Sequence, residues 1–452
     1  MDQPRPLPQD VNEETLDAFF DTVANRIGTS NISRDPTSGA PIGPHGQSSY
    51  GDPFPLASDH TPSGAVRPET VEEVQLIVKA ANQFRIPLWT VSRGKNLGYG
   101  GSSPVVWGSV VLDLHRMKKV VEINEEYAGF GPSVDGLFFQ SNLGVVTKMG
   151  MHCTPAPEAF VKCEVAVPRE EDLTPLVGIS TDLLRRRILS NSPGLANIVC
   201  LVMGAVDNNL AVRARVAPYI GTSAIPDEVL REIQAEQGWP WWVNLFSLYG
   251  PQDLVEAQLS VVKRAFEAIP GATLTAQLHT SAPGQTLDAE AIGEAPEILS
   301  QTGRPTLHSL SSLHFREQNA GHVAFAPVIP PSGRELYEWY LKAKKLTMDA
   351  GFDFVADFHL FARYTIPIDL VMYKSSEQRQ MRSLLKELTD MTVKLGFSEY
   401  RTHVSFMDEV ASHHNFNGGA MARLVCSFKD LLDPHGVLSP GKSGIWNSSK
   451  ML

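Results

Sequence analysis

Residues 92–101 read Ser92-Arg93-Gly94-Lys95-Asn96-Leu97-Gly98-Tyr99-Gly100-Gly101, directly after the apolar run Pro87-Leu88-Trp89-Thr90-Val91. Four glycines in ten residues beside an Arg and a Lys make a loop whose backbone can approach an anion closely. Its N–H groups can point at phosphate oxygens while Arg93 and Lys95 neutralise them. A short strand followed by such a loop sets the expectation of a nucleotide-binding domain.

The chain has 452 residues, 42% of them hydrophobic, which is enough for a sizeable core and for two or three domains. A net charge of −11 argues against a nucleic-acid surface, which is basic. No apolar run reaches membrane-spanning length, and the N-terminal residues lack a basic-then-apolar signal pattern. Cys153, Cys163, Cys200 and Cys426 form no Cys-x-x-Cys pair, so a reduced interior is expected rather than a disulfide scaffold. The ending Ser449-Lys450-Met451-Leu452 loosely matches a peroxisomal Ser-Lys-Leu signal, so the expected location is cytoplasmic or peroxisomal.

Periodicity predicts a helix over 14–27, with Phe19, Phe20, Val23 and Ile27 on one face. Residues 31–64, rich in Pro, Gly, Ser and Asp, read as a long surface segment. Thr70-Val71-Glu72-Glu73 reads as a capping box opening a helix through Ala81. Strands are expected at 87–91, Ser109–Leu114 and Lys119–Ile123. The last two lie too close for a helical crossover, so an α+β domain is expected in preference to a doubly wound parallel sheet. Further on, Val161–Val167, Trp241–Tyr249, His322–Phe325 and Phe354–Phe361 read as strands. Glu171–Leu184, Pro251–Ala268, 333–350 and 376–395 read as helices, the last two stopped by Gly351 and Gly396. A helix around Ala420–Leu432 precedes an irregular tail too short for a domain, which is expected to return to the first one.

Gly436-Val-Leu-Ser-Pro-Gly441-Lys442-Ser443 matches the phosphate-loop pattern literally. It lacks the preceding strand and following helix that the motif needs, so an NTPase is not expected. His413-His414 cannot face one another on a helix, and no metal site is expected. Tyr400-Arg401 offers a phenol donor beside a permanent charge with a fixed fork of donors, suited either to an anion or to a structural salt bridge. His322, beside a strand, reads by itself as structural.

These pieces stand in an order that resembles the vanillyl-alcohol oxidase and p-cresol methylhydroxylase family of flavoproteins. The resemblance rests on Arg67-Pro68 to Gly101, Gly129 to Gly150 (Gly-Phe-Gly-Pro-Ser-Val-Asp-Gly at its start), Gly351-Phe-Asp-Phe354, Glu399-Tyr-Arg-Thr-His403 and Leu432 to Trp446. It implies an α+β fold: an FAD-binding domain of this type at 1–160, a cap domain with an antiparallel sheet at 161–396, and a segment 397–452 returning to the FAD domain. Ser92, Arg93, Gly94, Lys95, Asn96, Leu97 and Gly98 are then FAD-binding. Tyr99, Tyr400 and Arg401 correspond to a phenolate-binding trio, and His322 to a covalent FAD attachment point. The implied partners are a para-substituted phenol and molecular oxygen, in a homo-oligomer, and the implied route passes through a phenolate and a quinone methide.

The chain also departs from the family. Asn124-Glu125-Glu126-Tyr127-Ala128 runs straight into Gly129, where the family has a block on the order of 100 residues, the size of a small domain. That block carries most other flavin contacts and a redox-assisting Asp, for which no residue here is a match. Leu310 stands where a pocket Glu is expected, Ile366-Pro367 follow Arg363 where histidines are frequent, and Leu97 replaces a small polar residue. The FAD domain is therefore expected to be incomplete and flavin binding weak. The alternative reading is an inactive relic, or a mis-spliced product whose folded cap acts only in protein association.

Overall fold

The computed structural model describes residues 5–35, 50–53, 55–57, 60–92, 96–122, 134–282, 284–288, 292, 308–318 and 320–450. It divides into two units, Met1–Met151 with Arg401–Leu452, and His152–Tyr400. The sequence features at 36–49, Arg93–Lys95, the junction from 124 to 129 and most of 281–305 lie outside the described residues.

In the first unit the Thr70 hydroxyl accepts from the Glu73 N–H at 3.2 Å, and Glu73 reaches back to the Glu69 N–H at 2.6 Å. This cap opens helix Val71–Phe84, which runs a turn beyond the expected end and closes on left-handed Arg85. Helix Glu13–Ile27 buries Leu16, Phe19, Phe20, Val23 and Ile27 against it. Both helices cover a four-stranded sheet made of β1 (Ile32–Ser33), β2 (Gly64–Val66), β3 (Leu88–Val91) and β4 (Val110–Asp113), in the order β1-β2-β4-β3.

The sheet is partly parallel, and one expected strand does not form. β2 and β3 both run parallel to β4, and the crossover from β3 to β4 is the glycine-loop segment rather than a helix. A connection of a dozen or more residues satisfies a parallel pair whether or not it is helical. Lys119–Glu122 forms no strand, and Val120 and Val121 are 71% and 62% exposed. Apolar β-branched residues make a strand only where a partner covers them. Ile123 lies outside the described residues.

The C-terminal tail adds to the free edge of β3. Leu88 N–H donates to Val437 C=O and Ser439 N–H to Leu88 C=O, both at 2.7 Å. Fully buried Lys429 fixes the tail: its Nζ donates to the Asn142 and Leu438 carbonyls at 2.8 and 2.6 Å and pairs with Asp433 at 2.7 Å. Gly441 has φ +79°, and a Cβ there would lie 2.5 Å from the Trp446 ring. The Gly-Lys-Ser match is thus a tight packing turn, ending in a 3-10 turn at Lys442–Gly444.

The second unit is built on an eight-stranded sheet: β5 (Ala159–Val167), β6 (Gly194–Asn197), β7 (Trp242–Gly250), β8 (Thr273–Thr280), β9 (Gly321–Val328), β10 (Ala356–Leu360), β11 (Thr365–Tyr373) and β12 (Ser398–Arg401). Their order is β12-β9-β11-β10-β6-β7-β5-β8, and every pair with a described register is antiparallel. Helices Leu173–Arg185, Gln252–Phe266, Gly333–Asp349 and Gln378–Lys394 complete the unit around Trp242, Phe325, Trp339, Tyr340, Phe354 and Phe358. Gly351 and Gly396 end the last two helices at φ +80° and +87°. No helix among the described residues is long and apolar enough to cross a membrane.

Candidate functional site

The glycine loop is a set of nested turns. Tyr99 and Gly101 N–H both donate to the Asn96 carbonyl, at 3.1 and 3.0 Å, and Asn96 Nδ2 donates back to the Tyr99 carbonyl at 3.2 Å. Ser92, Asn96, Leu97, Gly98 and Tyr99 are therefore placed, whereas Arg93, Gly94 and Lys95 lie outside the described residues. Gly98 and Gly100 have φ +78° and +101°, which side chains rarely tolerate. At Gly100 a Cβ would also meet Val404 Cγ1 at 2.6 Å, and at Gly101 it would meet the Gly51 carbonyl at 2.6 Å. Glycine is required here because two chain segments, 50–53 and 403–404, close on the loop.

Arg401 lies on the loop. Its guanidinium carbon is 4.1 Å from the centroid of the Tyr99 ring, and Nη2 donates to Asn96 Oδ1. These are its contacts among the described residues, and no described acidic side chain pairs with it. A second cation is close by: the partly buried Lys442 ammonium lies 5.7 Å from the Trp89 ring centroid. Burial, and then the charge of Arg401, push the Lys442 pKa down. Two neighbouring cations, with Lys442 largely withdrawn from solvent, favour an anionic guest.

Tyr400 is the last residue of the second unit, 38% exposed, and adjacent in sequence to Arg401. His322 also belongs to the second unit; it stands on β9 opposite Met372 of β11 and is 2% exposed. The Leu310 side chain lies outside those described. Sequence reasoning kept Lys442 only as part of a tail motif and gave no role to His403 or Asp52, which form a buried pair. The available signals were the cation after Pro440-Gly441 and a histidine two residues beyond Arg401.

Known proteins share the fold described above. A model described as "FAD binding domain" matches residues 62–137, and one described as "FAD linked oxidases, C-terminal domain" matches residues 230–443. The flavoprotein subunit of 4-cresol dehydrogenase [hydroxylating] from Pseudomonas putida is 26% identical, over 85% of this chain and 88% of that subunit. Among solved structures, 4-ethylphenol oxidase from Gulosibacter chungangensis, in complex with isoeugenol, superposes with a TM-score of 0.84 at 25% identity, covering 98% of this chain and 100% of that one. p-Cresol methylhydroxylase with substrate bound shares the fold, with a TM-score of 0.83 at 23% identity, covering 99% and 100%.

The fold and these matches define an FAD-dependent oxidoreductase with a PCMH-type FAD-binding domain and an antiparallel-sheet cap. Its cofactor is FAD, and these matches support the vanillyl-alcohol oxidase/p-cresol methylhydroxylase family, to which the chain is similar.

Proposed function

We propose that this chain oxidises the side chain of a para-substituted phenol, such as a 4-hydroxybenzyl alcohol, bound as its phenolate. The observation that carries the reading is Arg401, stacked on Tyr99 and without an acidic partner among the described residues. The names of the relatives, which concern cresol and ethylphenol, support the substrate class.

A free phenol has a pKa near 10, so only about one molecule in a thousand is ionised at pH 7. Arg401, with the hydroxyls of Tyr99 and Tyr400 as donors, stabilises the anion and shifts that equilibrium. A phenolate pushes electron density toward its para carbon and eases loss of hydride from the side chain, leaving a neutral quinone methide. Bound FAD would supply the hydride acceptor for this step, and molecular oxygen is the proposed final acceptor. On the protein side, Ser92, Asn96, Leu97 and Gly98 present backbone to the cofactor, together with Arg93, Gly94 and Lys95. Lys442 contributes a second positive charge, and His322 is the proposed covalent attachment point. Within the family the proposed assignment, on the motifs at 67–101 and 432–446, is a vanillyl-alcohol oxidase-like oxidase, and a homo-oligomer is proposed with it.

A second reading is favoured by a specific observation. Val120, Val121, Val134, Phe139, Met149 and Met151 are all exposed in the first unit. The alignment to the 4-cresol dehydrogenase subunit spans 478 residues, more than this whole chain, while taking in 85% of it. Both facts fit an FAD domain from which a block beside Gly129 is missing. On that reading FAD is held weakly, and the chain is an inactive relic or a mis-spliced product whose cap acts in protein association.

The visible spectrum of the purified protein separates the two. Stoichiometric flavin sinks the second reading, and survival of colour through acid precipitation, abolished by His322→Ala, supports the covalent link. A colourless protein, with an additional in-frame segment in the transcript between the codons for Tyr127 and Gly131, sinks the claim that this exact chain is an active oxidase.

A further inference from the structure

His403 and Asp52 are separated by most of the chain, yet they form a buried pair within the first unit, 2% and 6% exposed at their side chains. His403 Nε2 lies 2.8 Å from Asp52 Oδ2, and His403 Nδ1 accepts the Ser405 N–H at 3.1 Å. The second contact fixes the tautomer: Nδ1 is the acceptor, so Nε2 carries the proton and donates to the carboxylate.

The pair joins the two segments that enclose the glycine loop. On one side Val404 N–H donates to the Tyr99 carbonyl at 3.3 Å, and Val404 presses on Gly100. On the other side Ser102 N–H donates to the Gly51 carbonyl at 3.0 Å, and Gly51 N–H donates to Ser102 Oγ at 2.8 Å. Residues 99–102 are therefore gripped from both sides, and the His403–Asp52 hydrogen bond joins the two jaws. Arg401 lies two residues from the histidine, and Tyr99 lies inside the grip.

We propose that His403 and Asp52 are positioning residues: their bond closes a clamp that holds Arg401 over Tyr99 in the geometry that binds an anionic oxygen. A hydrogen bond to a charged group in a dry setting is strong enough to hold such a clamp, and its loss lets the 401–404 segment move away from the loop. The inference rests on the reading of Arg401 as the phenolate's partner.

The test is hydrogen exchange by mass spectrometry on the full chain, with 4-nitrophenol as the binding probe because its ionisation is visible by colour. In His403→Ala, exchange is expected to rise together in peptides spanning 96–103 and 401–406. Affinity for 4-nitrophenol is expected to fall about tenfold, and the bound probe to become less ionised. His403→Gln keeps a donor toward Asp52 and is expected to recover most of both effects. Asp52→Ala repeats the test without disturbing the Nδ1 contact if His403→Ala does not fold, and Asp52→Asn, which keeps an acceptor but not the charge, should fall between wild type and Asp52→Ala. Unchanged exchange of both segments in His403→Ala or Asp52→Ala overturns the clamp. Arg401→Ala supplies the separate check: if it leaves 4-nitrophenol affinity unaltered, the phenolate reading falls, whereas the exchange result still judges the clamp.

Discussion

At the scale of single residues, Arg401 is the most exposed to experiment. On the proposed reading its replacement by alanine leaves the phenolate without its counter-charge, a loss of about 3–5 kcal/mol. Tyr400→Phe removes one neutral donor, worth about 1 kcal/mol. Titration with a phenolic inhibitor should therefore show Arg401→Ala as much the weaker binder, and equal affinities would remove Arg401 from the site. Asp369 on β11 offers a different test. It is fully buried, and its Oδ2 accepts from the Thr347 hydroxyl at 2.7 Å. Burial pushes its pKa up to about 8. The folded state thus keeps a proton that the unfolded chain releases near pH 4. Stability from this group is complete below that value and is lost as pH rises toward 8. Asp369→Asn should remove the dependence, so its stability advantage in urea should grow from pH 5 to pH 8; a constant difference would place the ionised form in the fold.

At the scale of elements, two local devices have measurable worth. Thr70→Ala deletes the cap of helix Val71–Phe84 and should lower stability by about 1 kcal/mol. Lys344, on helix Gly333–Asp349, holds Glu170 and Asp227 at 2.5 and 2.8 Å with little exposure. Lys344→Ala leaves two neighbouring carboxylates without their cation and should destabilise the second unit by about 3–5 kcal/mol, read by its own unfolding transition. The helices most legible from sequence were long and glycine-stopped: Glu13–Ile27, Gly333–Asp349 and Gln378–Lys394, the first two also capped by Asn12 and Ser332. β5 was legible because its burial alternates. β11 was missed because it carries Pro367 and Asp369, residues that argue against a central strand. The fold accommodates Pro367 where the ladder to β9 is interrupted, between the Ile329–Thr365 bridge and the run beginning at Asp369. β8 was missed because its Thr and Gln residues suit an exposed edge strand and give no apolar pattern.

At the scale of the whole molecule, the two units differ in how well they cover their own apolar surface. The first leaves Val121, Phe139, Met149 and Met151 exposed, whereas the second surrounds its sheet core with long helices. Each large apolar side chain left in water forgoes roughly 1.5–3 kcal/mol, against a usual total of about 5–15 kcal/mol. A hydrophobic dye should therefore bind the intact chain without denaturant, and limited proteolysis should leave a fragment the size of residues 152–400. A chain that resists protease throughout and melts in one sharp transition would contradict the incomplete-domain reading. The sequence by itself determined the glycine loop, the helix caps and stops, and the tail motif, because backbone freedom and capping chemistry are local properties. The pairing of Asp52 with His403, the stacking of Arg401 on Tyr99, the addition of the tail to β3 and the burial of Asp369 were decided only by the tertiary structure. Each joins residues far apart in the chain, and no local propensity encodes which distant segment will supply the partner.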